Sequence, residues 1–167
     1  MSTSSRNFSF PLLFAAVTLP LYLLDQATKW AVLWYFAYGD DLPVIPGFFN
    51  LVYWRNTGAA FSMFSNSNHF FIGLSTVAVV VLAVLAWRGK FADRLSRVGW
   101  ALLLAGILGN LTDRIFQGSV VDFLLFNLHL PFANPWPAFN VADSCIFLAA
   151  GLFIWQSFRE EKPVQAA

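Results

Sequence analysis

Charge is scarce in this sequence. Only 11% of its 167 residues are Asp, Glu, Lys or Arg, against roughly a quarter in soluble domains. Cysteine is scarcer still. Cys145 stands alone, which excludes an internal disulfide, and one Cys with two His is too few for a standard structural zinc set. Other absences narrow the chemistry. There is no Walker loop, no dinucleotide glycine pattern and no H-E-x-x-H, and the serines lack a G-x-S-x-G setting. No motif ties His69 or His129 to Cys145 as a base, so the cysteine reads as a small buried hydrophobe and the histidines as interfacial. The net charge of +1 argues neither for nor against nucleic acid.

What the chain has instead is apolar length, at 58% of its residues. Four runs, 11–35, 70–87, 98–116 and 139–158, approach or exceed the roughly 20 residues a bilayer requires of a helix. They predict an all-α polytopic membrane protein, one bundle of four transmembrane helices with no separate soluble domain. The first run is longer than a signal-peptide core, is interrupted by "DQATK", and lacks a small-x-small cleavage signal, so it reads as a retained anchor. Arg88, Lys90, Arg94 and Arg97 crowd the link between runs two and three, Arg6 precedes run one, and Arg159 and Lys162 follow run four. Basic residues in short flanks stay cytoplasmic. Both termini are therefore expected inside, and segments 36–69 and 117–138 outside.

Within that frame Pro20 is expected either to kink the first helix or to be absorbed by its neighbours. Alternation over residues 49–55 predicts one or two short strands of a small sheet on the outer face, with "NTG" as the turn. The second helix carries no charge and reads as packing. In the third, Ala105, Gly106 and Gly109 allow close helix contact, and Gly118 is placed to take a left-handed C-terminal cap. "HLPFANPWPAF" cannot be a regular helix, so Asp122 is expected in a non-helical passage between helices three and four.

The polar residues beside these spans need partners or functions, because intramembrane charge costs several kcal/mol. Asp25 and Lys29 are four apart with the acid first, the favourable order for a helical pair. Asn110, Asp113 and Arg114 share one face of helix three; each serves equally as a structural anchor or in chemistry. Asn140 and Asp143 match a capping box opening helix four, a reading that leaves Asp122 unexplained. If the passage folds back so that Asp122 meets Asp143, two acids in a dry site share one proton, the arrangement of an aspartic protease. Spacing alone supports such a hydrolase and a small proton-coupled transporter equally, and also admits a non-catalytic assembly factor.

The sequence blocks go further. "DQATK" (25–29), "RNTGAAFS" (55–62), "GNLTDR" (109–114), "VVDF" (120–123) and "FNVADS" (139–144) resemble, in order and position, those of bacterial lipoprotein signal peptidases, also called signal peptidase II. Ala105 stands where the family often shows glycine. The resemblance covers roughly residues 15–158. It implies an aspartyl endopeptidase of the bacterial inner membrane, with its active site at the outer face and a small extracytoplasmic sheet cradle. By it, Asp122 and Asp143 are catalytic. Asp25, Lys29, Asn56, Asn110, Asp113, Arg114 and Asn140 bind substrate or support the dyad. The implied substrate is a diacylglyceryl-modified prolipoprotein met among membrane phospholipids, and the implied inhibitor is the cyclic peptide globomycin. No cofactor, metal or nucleic acid is called for.

Overall fold

The computed structural model describes residues 10–58, 67–88, 93–131 and 134–160. In chain order they form helix α1 (Phe10–Tyr35), strands β1 (Asp41–Ile45) and β2 (Phe49–Asn56), helices α2 (Asn68–Trp87) and α3 (Arg94–Phe116), strand β3 (Val120–Phe126) and helix α4 (Val141–Glu160). The class is all-α with a small open sheet. Helices α2, α3 and α4 are long and apolar enough to cross a membrane, with mean hydropathies of 2.5, 1.3 and 1.5. Helix α1 is not among these three; Asp25, Gln26, Thr28 and Lys29 lie in its second half. It runs unbroken through Pro20.

Local chemistry sets the ends of the elements. Helix α3 begins four residues before the expected boundary. Asp93 is extended there and accepts from the backbone N–H groups of Leu95 and Ser96, each at 2.9 Å, satisfying two of the helix's unpaired donors. At its other end Gln117 is the cap, and Gly118 follows at φ +72°, where glycine avoids the Cβ penalty.

The three strands pair antiparallel in the order β1-β2-β3. Asp41 faces Val52, Leu51 faces Leu124, and Trp54 faces Asp122, with a bulge between Leu51 and Trp54. Asp122 lies in a non-helical passage between α3 and α4, as expected, and that passage begins as strand β3, which the sequence did not announce. Its "VVDFLLF" is buried from Val120 to Phe123, so its side chains show no alternation and the strand period is hidden. Val121 and Phe123 pack with Val32 of α1 and Tyr53 of β2. The free edge of β3 is covered by Phe139, whose carbonyl accepts from Phe123 and Leu124 at 3.1 and 2.9 Å. That pairing holds Phe139 outside α4, which starts at Val141 rather than at 139.

Helix α3 lies between α1, α2 and α4 and packs most extensively on α4. The small residues explain how closely. A Cβ added at Gly106 would stand 2.4 Å from the Ala142 carbonyl oxygen, and one at Gly109 2.5 Å from Asp25 Oδ2. Ala105 is buried alongside. The start of α4, the middle of α3 and the polar part of α1 therefore meet at one level, beneath the sheet.

Candidate active site

Asn140 is the hub of this level and is 0% exposed. Its Oδ1 accepts from the Asp143 backbone N–H at 2.8 Å, and Asp143 Oδ2 accepts from the Asn140 backbone N–H at 3.2 Å. This is the reciprocal capping box. The Asn140 amide has a second partner: Nδ2 donates to Asp122 Oδ1 at 2.8 Å. Capping and the pairing of the acids are therefore two uses of one side chain rather than competing explanations of Asp143.

The remaining carboxylate oxygens are held by amides from other elements. Asn56, at the end of β2, donates Nδ2 to Asp122 Oδ2 at 3.1 Å. Asn110, on α3, donates Nδ2 to Asp143 Oδ1 at 2.7 Å. Three asparagines thus hold two acids with neutral donors, which orient a carboxylate without ion-pairing it. Burial, reinforced by the neighbouring Asp143 charge, pushes the Asp122 pKa up to about 7, against the opposing hydrogen bonds from Asn56 and Asn140.

Behind the amides lies a charged cluster. Lys29 Nζ stands 2.9 Å from both Asp25 Oδ2 and Asp113 Oδ2, and it donates to Asn110 Oδ1 at 3.0 Å. Both acids and the lysine are buried. The helical Asp25–Lys29 pair is present, but Asp113 makes it a triad across α1 and α3. Arg114 turns elsewhere: it donates to the Gly58 carbonyl at 3.0 Å and its guanidinium lies 5.0 Å from the Phe71 ring centre. Asn68, at the start of α2, donates to the Arg114 carbonyl at 3.1 Å. Arg114 thus links α3 to the chain just after β2 and to α2.

Two residues of this constellation were not singled out from sequence. Gln26 bridges Asp25 and Asp113; its one signal was a third polar side chain inside "DQATK". Asn68 carried no signal, since a polar residue before an apolar run is an ordinary helix start. Cys145 is buried, and His69 and His129 are exposed. Among the described residues no group of three His, Cys, Asp or Glu is placed to hold a metal ion. A cavity of about 430 Å³ opens between α1 and α3, lined by Gln26, Lys29, Trp30, Asp113 and Phe116 among others, but not by Asp122 or Asp143.

Two acids joined through Asn140, one of them with its pKa raised to about 7 in an amide-lined site, are equipped for water activation and proton donation at a carbonyl. Comparison with known proteins decides the class. The family model for signal peptidase (SPase) II matches residues 17–159. The chain belongs to the signal peptidase II family. The lipoprotein signal peptidase of Geobacter metallireducens is 38% identical over 155 residues, covering 90% of this chain and 93% of the relative. That of Symbiobacterium thermophilum is 41% identical over 130 residues, covering 78% and 84%. A bacterial membrane enzyme solved by the in meso method at 2.3 Å resolution superposes with a TM-score of 0.82 at 29% identity, covering 92% of this chain and 93% of that one. A second, at 1.9 Å, gives 0.76 at 31% identity, covering 86% and 91%. As a signal peptidase II this chain is an aspartic-type endopeptidase and a multi-pass membrane protein.

Proposed function

We propose that this signal peptidase II removes the signal peptide from diacylglyceryl-modified prolipoproteins, cutting before the lipidated cysteine, with Asp122 and Asp143 as its catalytic dyad. The observation that carries the assignment is the joint hold of Asn140 on both acids, 2.8 Å to Asp122 Oδ1 and a capping box with Asp143. The acids share one proton and titrate as a pair. The ionised partner takes a proton from water as the hydroxide adds to the scissile carbonyl carbon, and the protonated partner donates to the carbonyl oxygen. Collapse of the tetrahedral intermediate then breaks the C–N bond as a dyad proton passes to the leaving nitrogen.

In this reading Asn56, Asn110 and Asn140 orient the carboxylates. Asp25, Lys29 and Asp113 support the backbone beneath them, and Arg114 holds the chain after β2 against α3. The protein is one inner-membrane domain with α1 as its fourth span, both termini cytoplasmic, and segments 36–69 and 117–138 outside. The basic residues around 88–97 support that orientation. The dyad then lies near the outer headgroup level. A substrate's two acyl chains stay among the phospholipids while its peptide carbonyl enters a site from which apolar neighbours exclude bulk water. Globomycin, a cyclic peptide, is the expected inhibitor.

The test is cleavage by the purified protein in lipid nanodiscs of one prolipoprotein prepared with and without the diacylglyceryl group. Cleavage confined to the modified form is expected. Equal cleavage of both would remove lipid recognition from the proposal, and cleavage of neither would contradict it.

A further inference from the structure

Each acid of the pair follows a residue whose backbone N–H is held by a distant carboxylate. The N–H of Ala142, just before Asp143, donates to Asp25 Oδ1 at 2.8 Å. The N–H of Val121, just before Asp122, donates to Asp113 Oδ2 at 3.1 Å. Asp25 and Asp113 thus act as braces, one on the start of α4 and one on β3. Whatever fixes the two braces relative to each other fixes the backbones that carry the two acids.

Lys29 is one such link, and it is saturated: its three N–H groups go to Asp25, Asp113 and Asn110. The other link is Gln26. Its Nε2 lies 3.1 Å from Asp25 Oδ2, 3.1 Å from Asp113 Oδ1 and 3.2 Å from the Gly109 carbonyl oxygen. Its side chain is neutral, which suits a site already holding two acids for one lysine. A third carboxylate would add like charge in low dielectric, and an apolar side chain would remove the donor that Gln26 gives Asp113 Oδ1. None of the hydrogen bonds described for it reaches Asp122 or Asp143, so its influence on them is indirect, and the braces are the contacts that carry it to both.

We infer that Gln26 is a positioning residue that sets the separation of Asp122 and Asp143 by clasping Asp25 to Asp113. The inference rests on reading Asp122 and Asp143 as the dyad. It has a signature that simple stabilisation lacks. Coupling between two acids in a dry site depends on their separation. Loosening the clasp lets them drift apart, weakens the coupling, and brings the pair's two apparent pKa values closer. The pH range in which one proton is shared, and hence the bell-shaped rate profile, becomes narrower.

The experiment measures kcat and KM across pH for Gln26→Met, which keeps the volume and removes the donors, in nanodiscs at a temperature where the variant remains folded. The expected result is a kcat lower by about tenfold, within the range for sub-ångström misplacement, with KM little changed and a narrower pH profile. An unchanged profile would overturn the inference, including one with lowered Tm and proportionally less active enzyme, as expected if Gln26 merely fills the wall of the α1/α3 cavity. If Gln26→Met does not accumulate, Gln26→Asn is measured instead. It retains the amide but is one methylene too short to span both acids, so it should narrow the profile as well, and a parental profile would overturn the inference equally. Asp122→Asn and Asp143→Asn are assayed alongside. Turnover by those two would sink the dyad reading, whereas inert Asn variants beside a parental Gln26→Met profile would sink only the clasp.

Discussion

Asp122 is buried, which costs stability wherever the group ionises. Its pKa is raised from 3.8 to about 7 by burial first and by Asp143 second. The folded form therefore keeps a proton between about pH 4 and 7 that the unfolded chain has released. Stability from this group is fully present below the unfolded value and is lost as pH rises through about 7. Asp122→Asn sets an amide NH2 against one of the two asparagine donors, so it should abolish turnover and change the thermal midpoint more favourably at pH 8 than at pH 5. A change in midpoint that is equal at both values would contradict the raised pKa of Asp122. The same residue shows how far sequence could reach. The acid and its apolar neighbours were legible, and the family blocks marked it. Its strand was not, because a run buried on both faces carries no period of 2.

At the scale of elements, the start of α4 is the critical piece, since its first turn holds Asp143 and is capped by Asn140. It presses on Gly106, where an added Cβ would meet the Ala142 carbonyl oxygen at 2.4 Å and Ile146 Cγ1 at 2.6 Å. A backbone oxygen yields only if the helix moves. Gly106→Ala should therefore displace the first turn of α4, cost about 1–3 kcal/mol of stability by overpacking and so lower the thermal midpoint, and reduce turnover. Gly73→Ala on α2, where nothing lies within 4 Å of the added Cβ, should leave turnover unchanged and should not lower the midpoint, since alanine favours a helix over glycine. Thermal unfolding and turnover measured on both variants check this, and a fully active, fully stable Gly106→Ala would contradict it. Small residues at 105, 106 and 109 announced close packing in the sequence. They did not say which helix approached, because that depends on pairings such as Asp25 with Ala142, 117 residues apart. The early start of α3 had a simpler cause: Asp93 was an available cap set beside a basic stretch that drew the boundary later.

Across the whole molecule, polar side chains from α1, β2, α3, β3 and α4 converge in one connected network. Lys29 holds Asn110, Asn110 holds Asp143, and Asn140 joins Asp143 to Asp122. Pairwise spacing exposed the local parts, namely the Asp25–Lys29 pair, the 110/113/114 face and the capping box. The links between elements follow from the three-dimensional fold and were not visible in spacing. They turn several separately explicable residues into supports for two acids, and they account for charged and amide side chains in a chain otherwise so apolar. The most direct test is cleavage of a diacylglyceryl-modified prolipoprotein by the parent, Asp122→Asn and Asp143→Asn proteins in nanodiscs, each first shown to be folded. The account predicts that the parent releases the signal peptide and that neither variant does. Near-parental turnover by either folded variant would contradict it.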